Sequence, residues 1–560
     1  MRLATFFLAC GLPLLAPVSA VAAAPAARPP VTPLAVRKYL VYFRDKAASP
    51  YSVSQPQAFL SARSVQRRTR QGIAVKPRDL PVNPAYVAQV RAVPGVQVWY
   101  TSRWLNAAVV VCDASVLPTI LALPCVRTSG ALNRPASQPT PAKLEPEEPA
   151  ATALNRLSGT PADYGTAFGQ ADMLGAVAMH DAGFRGEGMQ IAVFDAGFPG
   201  VNRTAPFAAL FADNRVASTF NFVDKNTNVY LRDGHGTNCL STMGANQVGT
   251  FIGTAPKATY RLCITEDTGS ENPIEEANWL IAAEYADSCG VDVISSSLGY
   301  TTFDNPALSH NYADMNGRNT LAAQAATGAA RVGMLVVNAA GNDGNAPWHY
   351  IGAPADADSI ISVAAVSAAL TRASFSSYGP TADGRTKPDL AAQGGSAAIV
   401  SVSGAPARGN GTSFACPILA GMAAGFWQAN PGLTAQQVIS YLKQSATQAK
   451  APDNSLGWGI PNFPKANELA NPFVPLADLS IYPNPLADGQ DLLLNVPTDL
   501  RNTALTVRVY DMRGALVAEQ QLTTSLPTAV LQAGRLRPGI YLCRVQWDGE
   551  APRTLRFARQ

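Results

Sequence analysis

Hydrophobic and polar positions divide the chain into three stretches with different periodicities. In the first, residues 35–130, short apolar runs rich in β-branched and aromatic residues alternate with segments of helical spacing. This mixture in so short a span predicts a small α+β domain. The predicted elements are strands at 39–43, 96–100 and 107–111 and helices at 57–70 and 116–122.

The second stretch, residues 155–470, alternates helix-like segments with apolar runs of four or five residues. Near-continuous apolar runs are typical of parallel strands buried on both faces. Their alternation with helices predicts an α/β fold with right-handed crossovers. Ligand sites in such sheets gather beyond the carboxyl ends of the strands. The predicted strands are 190–194, 291–294, 334–337 and 360–364, and the predicted helices include 275–287 and 319–330.

The third stretch, residues 475–560, has a period of two. Leu505, Val507 and Val509 alternate with more polar residues, and a turn follows at 511–514. Similar runs continue beyond that turn. Short alternating strands joined by turns predict a small β-sandwich.

The segments outside these stretches carry processing signals. Residues 1–24 combine a positive Arg2, an apolar run and a small-residue cleavage site, which predicts a secretory signal peptide. Residues 131–154 contain five prolines among charged residues and predict an exposed linker suited to proteolytic processing. After the signal peptide, no segment is long and apolar enough to predict a transmembrane helix.

Composition narrows the class of protein. Apolar residues make up 47% and charged residues 15% of the 560 positions, and the formal net charge is +4. The apolar fraction can supply sizeable cores, while the scattered arginines exclude a nucleic-acid-binding footprint. The short basic run 67–70 is predicted to form a solvated helix face.

Cysteine usage argues against a disulfide scaffold. The chain has eight cysteines, and loss of Cys10 with the signal peptide leaves seven. Cys112 and Cys125, both in the first domain, are a candidate pair. Cys263 and Cys289 are not expected to pair, because they fall at opposite ends of one strand–helix–strand unit.

Ser413 has the most distinctive surroundings of any serine in the chain. It stands between small, flexible residues and an apolar segment, 414–429, that predicts a helix. Backbone N–H groups at a helix start favour developing negative charge. Pro417 is predicted to lie in the first turn, where its missing N–H has no partner to lose. Ser413 is therefore either a helix cap or a nucleophile.

A nucleophilic serine needs a base, and the base needs an orienting carboxylate. His235 stands between glycines at the start of a helix-like run, and Asp195 stands where a predicted strand ends. Asn342 follows another predicted strand and could donate to an oxyanion beside the Ser413 N–H. Taken singly, each residue also fits a cap, a turn or a structural role. The remaining histidines lack such surroundings and are predicted to be structural: His180, His310 and His349.

Together these residues resemble the motifs of the subtilisin-like (subtilase) serine proteases. The runs 195–197, 235–237 and 411–417 match the three catalytic motifs of this family, and the run 339–342 matches the oxyanion-hole motif of the family. The run 297–299 matches the edge segment that pairs with extended substrate. The order Asp, His, Ser separates the chain from α/β-hydrolases and chymotrypsin-like enzymes.

The resemblance implies both fold and chemistry. It implies a subtilisin-like parallel sheet with helices on both faces over residues 155–470, and a serine endopeptidase that cleaves proteins or peptides through an acyl-enzyme. Asp195, His235 and Ser413 would form the triad, and Asn342 would complete the oxyanion hole. The implied substrate-binding residues are Ser297, Leu298, Gly299, Ala340 and Gly341. No cofactor or catalytic metal is implied; subtilases often hold structural Ca²⁺, but no loop here has EF-hand spacing.

Two positions depart from the family pattern. Asn238 stands where members usually carry a second histidine, outside the triad. Cys239 lies one turn after His235 on the same helical face. We expect its thiol beneath the catalytic imidazole, where it is either a small buried hydrophobe or a target for mercurials.

The flanking domains also carry resemblances. Residues 35–130 resemble the inhibitory propeptide that subtilases use as an intramolecular folding aid. Residues 475–560 resemble the C-terminal sorting domain of the type IX secretion system, on the runs 481–485, 509–514 and 538–541. This implies passage through the periplasm and across the outer membrane of a Bacteroidetes-type bacterium, to a secreted or cell-surface location.

Two other functions stay open at this point. An inactive exported surface or binding protein could use the same fold, although no triad residue is missing. A peptide ligase or an esterase could use the same triad, and substrate assays are needed to separate these from a protease.

Overall fold

The computed structural model describes residues 36–132, 161–471, 479–487, 490–533, 536–547 and 552–560. The predicted signal peptide and most of the predicted linker lie outside these ranges, so the proposed domain boundaries stay predictions. Among the described helices, none combines the length and the hydropathy that crossing a bilayer requires.

The first domain is an antiparallel sheet of four strands in the order β2-β3-β1-β4, with helices on one face. Tyr39 and Val41 point to those helices, while Leu40 and Val109 point the other way and pack against Ile274 of the following domain. Both faces of the two central strands, β3 and β1, are therefore largely buried. The elements are β1 Val36–Phe43, α1 Ala62–Arg70, α2 Pro84–Arg91, β2 Gln97–Ser102, β3 Ala107–Asp113, α3 Leu117–Leu121 and β4 Val126–Ala131.

The second domain is built on a parallel sheet of seven strands in the order β13-β12-β11-β10-β5-β9-β6, as the apolar runs predict. Its helices are α4 Pro161–Tyr164, α5 Phe168–Met173, α6 Ala176–Asp181, α7 Ala208–Ala212, α8 His235–Gly244, α9 Ile274–Cys289, α10 Leu321–Arg331, α11 Thr412–Ala429, α12 Ala435–Ser445 and α13 Phe463–Ala470. Its strands are β5 Gln190–Asp195, β6 Val216–Asn221, β7 Asn246–Gln247, β8 Phe251–Ile252, β9 Thr259–Ile264, β10 Val293–Ser296, β11 Leu335–Ala339, β12 Ile361–Val366, β13 Leu390–Gln393, β14 Ala397–Val400 and β15 Pro406–Gly409.

Alternate residues of the central strands enter two separate cores. Val193 and Val337 face a core that contains α8 and α11, whereas Phe194 and Val336 face a core with α9 and α10. Burial on both faces explains why these strands read as continuous apolar runs. It also places the starts of α8 and α11 at the same side of the sheet.

The third domain is a β-sandwich, as predicted. A sheet of three strands (β16-β17-β20) packs on a sheet of four (β19-β18-β21-β22), with Val507, Tyr541 and Phe557 in the core between them. Leu526 and Val530 instead pack against the core of the second domain. The strands are β16 Ser480–Tyr482, β17 Leu492–Asn495, β18 Leu505–Asp511, β19 Leu516–Leu522, β20 Thr528–Leu531, β21 Gly539–Gln546 and β22 Arg553–Arg559.

The helix predicted at 57–70 is shorter in the structure. A single 3-10 turn at Pro56–Ala58 precedes it, and α1 begins only at Ala62. Ser61 sets this start, because its Oγ accepts the backbone N–H of Ser64 at 3.2 Å, the arrangement of a helix N-cap.

The candidate pair Cys112 and Cys125 does not form a disulfide, since both cysteines are free and buried. Cys112 lies opposite Arg37 at the start of β1, whereas the Cys125 carbonyl accepts from the backbone of Arg44, just past its end. Seven residues of extended chain separate these positions by roughly 20 Å, far beyond disulfide reach. Cys263 and Cys289 are also free, as predicted.

The prediction of a solvated face for residues 67–70 is wrong for Arg67 and Arg68. Arg67 Nη2 lies 2.5 Å from Asp287 Oδ1 and Arg68 Nη2 lies 2.7 Å from Asp287 Oδ2. Arg103, directly after β2, approaches the same Oδ2 to 2.6 Å. Both residues of α1 and Asp287 are almost completely buried. The counter-charge lies on α9, about 220 residues away, so no local pattern announces it.

Candidate active site

Asp195, His235 and Ser413 meet at the carboxyl edge of the parallel sheet. Asp195 is the last residue of β5, His235 is the first of α8 and Ser413 is the second of α11. Strand ends and helix starts converge here because parallel strands alternate with helices of opposite direction. All three residues therefore occupy the element ends that the sequence predicts.

Local sequence fixes the position of His235. The carboxylate of Asp233 accepts the His235 backbone N–H at 2.7 Å, one of the N–H groups at the start of α8 that have no intrahelical acceptor. A Cβ on Gly236 would lie 2.4 Å from the Gly197 carbonyl oxygen and 2.9 Å from Asp195 Cβ. Glycine is needed there for α8 to approach β5. The flanking glycines are evident in the sequence, whereas the hydrogen bond from His235 to Asp233 is evident only in the structure.

The imidazole of His235 is oriented by a buried carboxylate. Nδ1 donates to Asp195 Oδ1 at 2.8 Å, and the Ala196 backbone N–H donates to the same oxygen at 2.8 Å. This assigns the Nδ1–H tautomer and leaves Nε2 as the basic nitrogen. Asp195 is fully buried, and its Oδ2 has no hydrogen-bond partner among the described residues.

The surroundings of His235 stabilise its protonated form. Burial by itself lowers the pKa of this imidazole, but the Asp195 carboxylate, together with the Cys239 side chain, outweighs it and raises the pKa well above 6.5. An opposite charge within hydrogen-bonding distance stabilises the imidazolium form. A proton that His235 accepts is therefore stabilised by the neighbouring carboxylate.

The hydroxyl of Ser413 points toward the edge segment. Its Oγ donates to the Ser297 carbonyl over a long 3.5 Å, and in the described part of the chain no hydrogen bond joins it to His235. Catalytic hydrogen bonds are often long in ligand-free sites and tighten when substrate binds. Ser413 is only 8% exposed, so the hydroxyl lies at the bottom of the site.

The prediction for Pro417 is wrong. α11 begins at Thr412, so Pro417 lies in its second turn, inside the helix. An N–H at position 417 would bond the carbonyl of Ser413. That carbonyl instead accepts from Ser297 Oγ at 2.8 Å and from Cys239 Sγ at 3.3 Å. The proline thus frees a carbonyl that ties the start of α11 to two neighbouring segments.

Asn342 is oriented by the residue before the serine. Its Oδ1 accepts both the backbone N–H and the hydroxyl of Thr412, each at 2.9 Å. The amide nitrogen therefore faces away from Thr412. The Ser413 N–H, in the first turn of α11, has no intrahelical acceptor. These two donors can serve the same oxyanion.

The predicted substrate-binding residues form two adjacent segments. In one, Ser297 uses its hydroxyl to hold α11, and Tyr300 pairs with Ala353 through two backbone hydrogen bonds of 2.7 and 3.2 Å. In the other, Ala340 packs with Ile351 in a small apolar cluster, and the Gly341 N–H donates to Thr412 Oγ1 at 3.2 Å. Leu298 and Gly299 lie between the two anchors of the first segment.

Cys239 lies beneath His235, as predicted. Its Sγ is 3.7 Å from Nδ1 and 3.9 Å from Nε2. Burial raises the pKa of the thiol, so it is uncharged at neutral pH. Asp195, His235 and Cys239 offer ligand atoms within 4.8 Å of one another. A metal ion bound there would coordinate His235 and prevent it from accepting a proton from Ser413. These three residues therefore do not fit a metal site in an enzyme that uses His235 as its base.

Two of the other histidines, His180 and His310, have structural surroundings. His180 is buried between Tyr164 Oη at 2.8 Å and the Thr254 carbonyl at 3.1 Å. Burial lowers the pKa of His180 to about 4, which keeps it neutral. His310 bonds Glu276 at 3.2 Å, away from the triad.

Comparison with known proteins gives three family matches: the subtilase family over residues 186–459, a Bacteroidota peptidase S8 propeptide domain over 38–145, and a secretion system C-terminal sorting domain over 480–554. Subtilisin of Bacillus pumilus is 34% identical over 279 residues, which cover 49% of this chain and 88% of that protein. The chain belongs to the subtilase family. Subtilisin DY of Bacillus licheniformis is 32% identical over 269 residues, which cover 47% of this chain and 86% of that protein. Subtilisin NAT of Bacillus subtilis subsp. natto is 34% identical over 49% of the subtilase, but only 64% of its own length is matched.

These matches confirm the predicted fold class and enzyme class. The subtilase is a subtilisin-like serine endopeptidase, synthesised with a propeptide and a type IX sorting domain. The sorting domain marks it for secretion or attachment at the cell surface. Its own propeptide and the secretion machinery are therefore partners of the chain.

Proposed function

We propose that the subtilase hydrolyses peptide bonds through Asp195, His235 and Ser413. Ser413 Oγ attacks the scissile carbonyl while His235 Nε2 takes its proton, and the same nitrogen then protonates the leaving amine. Water repeats the sequence on the acyl-enzyme and releases the carboxylate product. Asp195 holds the imidazole tautomer and stabilises the imidazolium in both halves of the reaction.

The observation that carries this proposal is the buried Asp195–His235 hydrogen bond beside the start of α11. Cys239 Sγ contacts both His235 Nε2, at 3.9 Å, and the Ser413 carbonyl, at 3.3 Å, so the base and the serine are neighbours. Attack requires the Ser413 hydroxyl to exchange its 3.5 Å contact with Ser297 for a hydrogen bond to Nε2.

The oxyanion would be held by Asn342 Nδ2 and the Ser413 N–H. Thr412 fixes the Asn342 side chain through two hydrogen bonds, so the amide is oriented before the reaction begins. Preorganised donors of this kind stabilise the transition state without reorganisation. Ser297–Gly299 and Ala340–Gly341 would hold the substrate on either side. Catalysis would need no cofactor.

The full chain would be a zymogen. The predicted order is a signal peptide at 1–24, a propeptide at 35–130, a linker at 131–154, the catalytic domain at 155–470 and the sorting domain at 475–560. The propeptide's arginine contacts with α9 support its close association with the catalytic domain. Processing would remove the propeptide after export.

The test is hydrolysis of a peptide by the chain after removal of its propeptide. Mass spectrometry should find the cleaved peptide with a free carboxylate, and Ser413→Ala should abolish the product. Ser440→Ala, an exposed serine on α12, is the matched control and should retain full activity. A folded, propeptide-free enzyme that leaves peptides intact would refute the proposal; ligated rather than hydrolysed products would indicate a ligase.

A further inference from the structure

We propose that Asn338 is a positioning residue that joins the two segments of the substrate cleft; this inference rests on the proposed protease function. Asn338 lies in β11, opposite Ser296 of β10 in the parallel register. It is completely buried and does not belong to the triad or the oxyanion site. Both predicted substrate segments begin within two residues of this strand pair.

The side-chain amide of Asn338 reaches a backbone carbonyl in one segment and the carbonyl directly before the other. Nδ2 donates to the Leu298 carbonyl at 2.9 Å and to the Ala339 carbonyl at 2.8 Å. Leu298 lies in the middle of one segment, and Ala339 directly precedes Ala340 in the other. Because both partners are acceptors, the nitrogen rather than the oxygen of the amide must face them.

Leu298 depends on this contact because its neighbours are anchored elsewhere. Ser297 Oγ donates to the Ser413 carbonyl at 2.8 Å, and Tyr300 pairs with Ala353. Between these anchors, Asn338 Nδ2 holds the segment to β11. Substrate strands pair with backbone groups of such an edge, so the position of Leu298 and Gly299 affects binding directly.

The surroundings of the Asn338 side-chain oxygen, Oδ1, argue against a purely structural role for this residue. Asn338 Oδ1 is buried and has no hydrogen-bond partner within the described ranges. An unpaired buried oxygen is unfavourable, and an apolar residue of similar shape would avoid that penalty. The donor half is therefore the part of the side chain that the site uses.

The test compares Asn338→Ala with the natural enzyme, both freed of the propeptide, on a tetrapeptide anilide and on a small acetate ester. The tetrapeptide engages the 297–299 edge, whereas the ester needs only Ser413 and the oxyanion donors. We expect KM for the tetrapeptide to rise about tenfold, the effect of losing the hydrogen bond that holds Leu298. Its kcat and the kcat/KM of the ester should stay within about threefold of the natural values.

Asn430→Ala is the matched control. Asn430 is also buried and donates to a backbone carbonyl, that of Phe426 at 3.0 Å, but it lies at the opposite end of α11 from Ser413. This variant should lower Tm and leave both KM values unchanged. If Asn338→Ala fails to fold, Asn338→Ser retains a donor for one carbonyl and should give a smaller rise in the same KM.

Equal losses on both substrates, or an unchanged tetrapeptide KM in a folded variant, would overturn the role of Asn338. A natural enzyme that cleaves the ester but not the tetrapeptide would instead refute the protease function on which the inference rests. The two failures are thus distinguishable in one set of measurements.

Discussion

Removal of the Asp287 carboxylate should release the propeptide from the catalytic domain. Asp287 on α9 accepts guanidinium groups from Arg67, Arg68 and Arg103 at 2.5–2.7 Å, and it is fully buried. These three arginines belong to the propeptide. Asp287→Ala leaves them without this counter-charge. Arg68 keeps an ion pair with Asp79 at 3.0 Å, whereas Arg67 and Arg103 keep only the longer-range attraction of Asp292 and Glu284 among the described residues.

The magnitude follows from the burial of the cluster. Breaking a buried ion pair by removing one partner costs about 3–5 kcal/mol, because the remaining charge stays desolvated. At about 1.4 kcal/mol per decade, this makes opening of the interface roughly 10² to 4 × 10³ times more frequent. Burial by itself raises the pKa of Asp287, but the three guanidiniums outweigh it and lower that pKa below 3.8. The stabilisation is therefore complete above pH 3.8 and is lost as pH falls through the lowered pKa.

Amide hydrogen exchange at pH 7 measures the opening directly. In the Ser413→Ala background, which prevents self-processing, Asp287→Ala should accelerate exchange of α1 by the factor given above, up to the limit set by the unprotected rate. Asp383→Ala is the control, since Asp383 pairs with Arg385 at 2.9 Å on the surface and such pairs contribute about 1 kcal/mol or less. Acceleration of less than about tenfold by Asp287→Ala would refute the reasoning, because it would mean that the cluster does not hold the interface.

The remaining predictions concern the catalytic site. Asn342→Ala should lower kcat by about 10²–10³ with folding intact; the magnitude is that of the equivalent asparagine in a subtilisin, and a near-normal kcat would remove Asn342 from the mechanism. Because Asp195 raises the pKa of His235 and the neutral imidazole is the base, kcat/KM should fall as pH drops below a midpoint above 6.5. Asp195→Asn should move that midpoint to lower pH and reduce kcat by about 10⁴; an unmoved pH profile would contradict this coupling. A bulky mercurial should inactivate the enzyme through Cys239, whose thiol lies 3.7 Å from His235, and Cys239→Ser should be resistant; equal inhibition of both would place the reaction at another thiol.

The positions of the triad could be predicted because each depends on a local signal. Asp195 ends an apolar run, His235 follows Asp233 and Gly234 at a helix start, and Ser413 precedes an apolar helix. Ends of elements in an α/β domain gather at one edge of the sheet. Local pattern and topology therefore indicated one edge of the sheet for these residues, and the resemblance to the subtilase motifs implied their roles.

The contacts that hold the site together could not be predicted in the same way. The Ser413 carbonyl accepts hydrogen bonds from Ser297 and Cys239. It is available to them because Pro417, inside α11, has no N–H to bond it. Asn338 reaches across 40 residues to Leu298. Each of these bonds joins elements that are distant in sequence, so only the packed fold defines the partner.

The propeptide interface shows the same limit. A basic run on a helix is usually solvated, and the run 67–70 has no acidic residue one helical turn away that would suggest otherwise. Burial of Arg67 follows from docking of α1 against Asp287. A resemblance to a propeptide implied an interface, but not which residues would form it.

The most direct test of the proposed mechanism is labelling by a fluorophosphonate after the propeptide has been removed, with the adduct located by peptide mass spectrometry. We predict one adduct, on Ser413, that is lost in Ser413→Ala and strongly slowed in His235→Ala. A folded, propeptide-free enzyme that takes up no probe, or one that is labelled equally in Ser413→Ala, would contradict a nucleophilic role for this serine.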